Sequence, residues 1–495
     1  MSLTKQTLDK DLEKLVHVEA ATRSMAGGLR SHGIAVIFLG LSALLAAALV
    51  GLSSDTAMVV VAAILGGYMA LNIGANDVAN NVGPAVGSRA LTMFGALVIA
   101  AVFESAGALL AGGDVVNTIS KGIIDPSLVE DSSIFVLAMM AALISAALWV
   151  NLATFVGAPV STTHSVVGGV MGAGIAAVGF QLVNWGTMGA IAASWVISPV
   201  LGGVIAAGFL AFIKINLIYR DDKIAAARRW VPMLVAIMAG AFAWYLAVKG
   251  FKRIWRPDIQ TVIIVSLVTF AAVWVIMRPL IRRQSKGMEN RNQSLRVLFR
   301  IPLICSAALL SFAHGANDVA NAIGPLAAII STVQSGDIAS KVEVPIWIMT
   351  IGAFGISLGL FLYGPKLIRM VGDQITKMNP MRAYCVALSA AITVIIASWL
   401  GLPVSSTHIA VGAVFGVGFF REHYTRRSKR RREMVTRAGK SDVDAEEAPL
   451  PPEVLRHRRL VRRSHFLTII AAWVITVPAT AIMSALVFFG LSLVV

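Results

Sequence analysis

Two short words concentrate the polar chemistry of this chain. Gly-Ala-Asn-Asp-Val-Ala-Asn occurs at Gly74–Asn80 and again at Gly315–Asn321, each time among apolar residues. On a helix, Asn76 and Asn80 share a face and Asp77 lies about 100° round from them. An Asp at the centre of a membrane helix costs about 2.5–3.5 kcal/mol on insertion scales, and a duplicated word incurs that cost twice. Intramembrane ionisable groups of this kind point to function. Gly74 and the Gly83-Pro84 pair are expected to loosen the helix and free backbone carbonyls. With the oxygens of Asn76, Asn317 and the aspartates, those carbonyls are hard ligands suited to a small cation such as Na⁺.

The second word makes the opposite kind of site. Pro159 and Pro403 suit positions at or near a helix start. Ser161, Thr162 and Thr163 follow the first, and Ser405, Ser406 and Thr407 the second. Their hydroxyls stand beside free N–H groups at the positive end of a helix, which is half a cradle for a small oxyanion. Each feature also has an ordinary reading: Ser and Thr as helix caps, Asn as a bond between spans, glycines as close packing. Duplication favours function for both words. His164 and His408 are either proton carriers or histidines bonded to a nearby backbone carbonyl. His314 carries less weight, because Ile73 occupies its place in the first copy. Glu104 is a carboxylate in an apolar run where the second copy has Gly355; it is a ligand for a coupling ion or a structural hydrogen-bond partner.

The elements that must position these groups are membrane helices. Mean hydropathy is +0.78 and 14% of the 495 residues are charged, against about a quarter in soluble domains. Apolar runs long enough to cross a bilayer recur throughout. We expect an all-α polytopic membrane protein of about 12–13 transmembrane helices, some broken or re-entrant. The formal charge of +16 gathers in loops beside the spans, which is the positive-inside pattern and not a nucleic-acid surface. Cys305 and Cys385 lie in apolar runs without metal-type spacing.

A repeat organises the chain. Asp77 and Asp318 stand 241 positions apart and His164 and His408 stand 244 apart, and "SWVISP" at Ser194–Pro199 is echoed by "AWVITVP" at Ala472–Pro478. Corresponding loops differ in charge. Arg421–Arg463 carries 14 Lys/Arg against 7 Asp/Glu, while the matching Gln181–Thr187 carries none. Opposite faces for corresponding loops make two inverted-topology repeats, a common plan among secondary transporters. "KRIWRP" at Lys252–Pro257 is the one basic loop that runs against this bias. The expected divisions are a cytoplasmic leader at 1–33, an extra transmembrane helix at 34–52, and repeat 1 at 58–212. A linking region with two helices follows at 213–300, then repeat 2 at 301–495 with a basic cytoplasmic loop at 421–463. This places the N-terminus inside, in a bacterial inner membrane.

The words "GANDVANNVGPAVGSRALT" (Gly74–Thr92), "FESAGALLAGG" (Phe103–Gly113), "GANDVANAIGP" (Gly315–Pro325) and the two PVS[TS]TH segments resemble the inorganic phosphate transporter (PiT) family. The resemblance implies a symporter importing inorganic phosphate with Na⁺ or H⁺. It implies phosphate contacts from Asp77, Asn80, Asp318, Asn321 and the Ser/Thr hydroxyls. "GANDVAN" is similar to the Na⁺-coupled branch. The long hydrophilic loop departs from many members by lying inside the second copy.

Function then reads as alternating access around a central oxyanion site, with Asp77 and Asp318 able to accept the hydrogen of protonated phosphate. The nearest alternative is a sulfate symporter, and an anion channel is the alternative of another class. An enzyme is disfavoured, since catalytic sites seldom need inverted halves and no His-Glu-x-x-His cluster occurs. No cofactor beyond the coupling ion is expected. The expected partners are phosphate, Na⁺ or H⁺ and the lipid bilayer, with no nucleic acid; a homo-oligomer is compatible with the pattern.

Overall fold

The computed structural model describes residues 29–51, 56–129, 131–156, 160–250, 257–336, 344–370, 378–427 and 463–493. Most of the expected leader, the "KRIWRP" loop, Pro159 and most of the basic 421–463 loop lie outside these residues. The described residues form helices joined by short loops. In order they are α1 (Leu29–Val50), α2 (Thr56–Asn76), α3 (Val78–Gly87), α4 (Met93–Ala111), α5 (Gly113–Asn117), α6 (Ser132–Val156), α7 (Thr162–Ala177) and α8 (Trp185–Ile213). There follow α9 (Lys223–Tyr245), α10 (Ile259–Gln284), α11 (Asn292–Leu298), α12 (Arg300–Ser335), α13 (Ile346–Met370), α14 (Pro380–Trp399), α15 (Ser406–Arg427) and α16 (Arg463–Ser492).

Eleven stretches are long and apolar enough to cross a membrane. The remaining two of the expected spans are α7 and α15, which begin inside the protein at the two PVS words. At about 1.5 Å per residue, the 16 residues of α7 span less than the roughly 30 Å of a hydrocarbon core. By that measure α7 is a partial span, whereas the 22 residues of α15 run about 33 Å. The first described helix already includes Leu29–Ser31, ahead of the position 34 that hydropathy suggests.

The bundle is built around α12. Its N-terminal half, Leu303–Ala313, belongs to one apolar core with α8, α9, α14 and α15. Its C-terminal half, Val319–Ile330, belongs to another with α2, α4, α6, α7 and α13. By contrast α10 turns long apolar side chains such as Ile264, Leu267 and Ile276 outward, as a helix against lipid must.

Helices that meet through their backbones need small residues at the contact. A Cβ on Gly74 (α2) would overlap the Ile356 carbonyl of α13, and one on its counterpart Gly315 (α12) would overlap the Glu104 carbonyl of α4. Gly412 and Gly416 of α15 lie against Pro199 and Gly203 of α8; Gly168 and Gly172 of α7 lie against Val477, Thr480 and Ala481 of α16. Matching helices of the two copies thus exchange equivalent contacts. This corrects the expectation that Gly74 loosens its helix: it allows close packing. Gly83-Pro84 does not unwind the chain either, since Pro84 lies inside α3 and Pro325 inside the continuous α12. The prolines lack N–H groups and so release the carbonyls of Asn80 and Asn321, four residues back, without breaking the helix.

Candidate functional site

The junction of α2 and α3, the middle of α12 and the starts of α7 and α15 converge on one buried polar centre. Asp77 sits at the junction, its N–H on the Ile73 carbonyl at 2.9 Å and its own carbonyl accepting the Asn80 N–H at 3.0 Å. This tighter turn separates α2 from α3. The Thr162 hydroxyl donates to Asp77 Oδ2 at 2.6 Å and the Thr407 hydroxyl to Oδ1 at 3.3 Å. The Ser406 hydroxyl donates to Asp318 Oδ2 at 3.2 Å.

The amides tie the copies together. Asn80 Nδ2 donates to Thr407 Oγ1 at 2.8 Å, and in the matching direction Asn321 Nδ2 donates to Thr163 Oγ1 at 3.1 Å and to Thr162 Oγ1 at 3.3 Å. Each GANDVAN word therefore holds the PVS word of its own copy through Asp and that of the other through Asn, and Asp77 also reaches Thr407 of the other copy. Thr163 further donates to the Val404 carbonyl at 3.0 Å. All ten residues expected to bind substrate gather here, and each is buried.

Within the PVS words the two readings divide by position. Ser161 Oγ accepts the His164 N–H at 3.2 Å and Ser405 Oγ accepts the His408 N–H at 3.3 Å, so these serines cap α7 and α15. The next two residues of each word turn their hydroxyls to the carboxylates and amides. Asn76 and Asn317 face the preceding span instead: Asn76 Nδ2 donates to Thr154 Oγ1 at 2.9 Å, and Asn317 Nδ2 to Ser398 Oγ at 3.0 Å. Asn317 also accepts the Val404 N–H at 3.2 Å, fastening the chain that leads into α15.

His164 and His408 meet edge to face with ring centroids 4.5 Å apart, and Trp195 lies 3.8 Å from His164. The His164 nitrogens have no hydrogen-bond partner among the described residues, so a bond to a backbone carbonyl is not found there. Both imidazoles line a cavity of about 840 Å³ with otherwise apolar walls that include Pro199, Val411 and Phe415.

Sequence reasoning underrated His314. Its Nε2 lies 2.9 Å from Asp318 Oδ2 and its Nδ1 3.2 Å from Glu104 Oε2, with none of the three more than 1% exposed. Asn81, which had no assigned role, donates to Glu104 Oε1 at 2.8 Å. The available signal was asymmetry: Asn81, Glu104 and His314 face Ala322, Gly355 and Ile73 in the other copy.

Charge is the chemical constraint. Ligand atoms of Asp77, His314 and Asp318 lie within 4.8 Å of one another. Two carboxylate charges at that range repel by about 3–4 kcal/mol at an effective dielectric of about 20. Among the described residues no Lys or Arg is paired with either aspartate. The centre thus combines anion-binding helix starts with carboxylates.

A helical bundle with so central a polar site, where two helices start inside the protein, is a membrane transporter in class. The chain matches the phosphate transporter family over residues 73–484, and it belongs to that family. It is 44% identical to a Helicobacter pylori protein named "Putative phosphate permease", over 98% of this chain and 99% of that one. A Haemophilus influenzae protein of the same name is 33% identical over 88% of this chain and 96% of its own length. A solved structure named "The sodium-dependent phosphate transporter" superposes with a TM-score of 0.78 at 34% identity, covering 89% of this chain and all of that one. The protein is an integral membrane phosphate transporter rather than an enzyme.

Proposed function

We propose that this chain is a secondary symporter that imports inorganic phosphate with Na⁺ by alternating access between two inverted repeats. The observation that supports this most is one buried centre holding two carboxylates beside the N-termini of α7 and α15. Phosphate oxygens would accept from Asn80 and Asn321 and from the free N–H groups of both helix starts, beside the hydroxyls of Thr162, Thr163, Ser406 and Thr407, with Ser161 and Ser405 fixing those starts. A protonated phosphate offers a hydrogen to a carboxylate of Asp77 or Asp318.

The same carboxylates repel the anion, so a co-bound cation lowers the energy of the loaded state, which is a physical reason for coupling. Na⁺ suits the amide oxygens of Asn76 and Asn317 together with Asp77, with Glu104 adding charge nearby. The similar solved structure is named for sodium dependence, which agrees with Na⁺; H⁺ remains the alternative coupling ion. The comparisons do not favour sulfate as substrate. His164 and His408, in contact across the repeats, would carry a proton or hold α7 to α15. The exchanged glycine contacts support repeats at 58–212 and 301–495, joined by 213–300. The loop charges support an N-terminus inside a bacterial inner membrane.

Uptake of radiolabelled phosphate into proteoliposomes, with Na⁺ and pH gradients imposed separately, tests the coupling. Accumulation should follow the Na⁺ gradient. Uptake driven only by the pH gradient would transfer the assignment to H⁺, and equilibration without accumulation under either gradient would indicate a channel.

A further inference from the structure

We infer that the two duplicated aspartates do different work, and that Asp318, held by Glu104 and His314, presents the oxygen that recognises the hydroxyl hydrogen of a protonated tetrahedral oxyanion. This deepens the phosphate reading and rests on it. The polar words of the two copies differ at several positions, and three of those differences adjoin this centre. Position 73 is Ile where its counterpart is His314; Asn81 faces Ala322; Glu104 faces Gly355. The structure brings the three polar members into one line. Asn81 donates to Glu104 Oε1 at 2.8 Å, Glu104 Oε2 lies 3.2 Å from His314 Nδ1, and His314 Nε2 lies 2.9 Å from Asp318 Oδ2. These act as one device, present on one side of the duplication only.

Its effect is to make the four aspartate oxygens unequal. Both oxygens of Asp77 accept a hydroxyl, from Thr162 and from Thr407. Asp318 Oδ2 accepts the Ser406 hydroxyl and lies 2.9 Å from His314 Nε2. Asp318 Oδ1 is buried and has no donor among the described residues. A buried acceptor left unpaired is unfavourable, and phosphate with a P–OH group supplies the missing hydrogen while its other oxygens accept from the Asn80 and Asn321 amides and the N–H groups at the starts of α7 and α15. Sulfate at neutral pH has no hydrogen to give. It would leave Oδ1 unpaired and facing an anion, the type of mismatch that discriminates strongly. His314 is a positioning residue here: its two nitrogens lie between carboxylates, so it cannot turn without losing a contact, and it fixes which oxygen of Asp318 is free.

The substitution Asp318→Asn has a definite orientation. Its carbonyl oxygen must take the donors at the Oδ2 place, which leaves the NH₂ at the Oδ1 place, where it would donate to a sulfate oxygen. The test measures binding of inorganic phosphate and of sulfate to the purified full-length protein by calorimetry, alongside sulfate competition against labelled phosphate uptake in proteoliposomes. Asp318→Asn and His314→Leu should lower the phosphate-over-sulfate preference about tenfold or more, and His314→Gln, whose amide reaches Asp318, should restore part of it. Asp77→Asn should weaken phosphate binding yet keep the preference within about twofold of the unaltered protein. Equal loss of preference in both aspartate variants overturns the inference, as does full preference in Asp318→Asn. A change in Na⁺ dependence alone in Asp318→Asn also overturns it, by assigning Oδ1 to the cation. If the unaltered protein binds and transports no phosphate, the underlying functional reading fails instead. Thermal unfolding of each variant separates misfolding from altered selectivity, and calorimetry reads selectivity in folded variants that no longer transport.

Discussion

At Thr407 a single hydroxyl performs two tasks. It accepts the Asn80 amide hydrogen at 2.8 Å and donates to Asp77 at 3.3 Å, while its backbone lies at the N-terminal end of α15. One oxygen therefore joins the GANDVAN word of the first copy to the PVS word of the second. A hydrogen bond to a charged group contributes about 1.5–3 kcal/mol, and each 1.4 kcal/mol is about tenfold in affinity. Thr407→Ala should raise the phosphate KM about tenfold or more, and Thr407→Ser should stay close to the unaltered protein. Initial-rate uptake in proteoliposomes measures both. An alanine variant with unchanged KM would remove Thr407 from the site. Thr163 is the matching residue on the other side, so Thr163→Ala and Thr407→Ala should be less than additive if both serve one ligand.

At the scale of the element, the spans and both functional words were legible because polar residues in apolar runs stand out and because they occur twice. The glycines were read less well. Sequence alone could not separate a helix-loosening Gly74 from a contact glycine, since the difference lies in the Ile356 carbonyl, far away in the chain. Likewise Ser161 and Thr162 are alike in sequence, and only the helix start decides that one caps while the other turns to Asp77. His314 was underrated because repetition served as the guide to function, and the Glu104–His314 pair is where repetition fails. Backbone packing of α12 on α4 can be tested by itself. Gly315→Ala would drive a methyl into the backbone of α4, and overpacking of this kind costs about 1–3 kcal/mol or more. Its midpoint of thermal unfolding in detergent should fall clearly, whereas Gly40→Ala on α1, with open space around it, should leave the midpoint unchanged or slightly higher. Equal midpoints for the two variants would mean that α4 and α12 do not pack through their backbones.

For the whole molecule, inversion of the copies decides whether one site can face either side of the membrane in turn. Two facts bear on it independently. The loop after α15 is strongly basic and the loop after α7 is uncharged, which puts them on opposite faces if Lys and Arg stay inside. The helices themselves begin at one centre, with Thr162 and Ser406 bonded to the two aspartates, and then pack on different partners, α7 on α16 and α15 on α8. They lead away from the site by separate routes. Phe180, just beyond α7, is exposed, and so is His423 near the end of α15. Single cysteines there, in a background where Cys305 and Cys385 are replaced by Ala, can be tested with a membrane-impermeant maleimide. Phe180→Cys should label in intact cells, and His423→Cys only once the membrane is opened. Labelling of both from one face would leave α7 and α15 opening to the same compartment; two such helices could still hold phosphate, but they could not pass it across by exchanging roles.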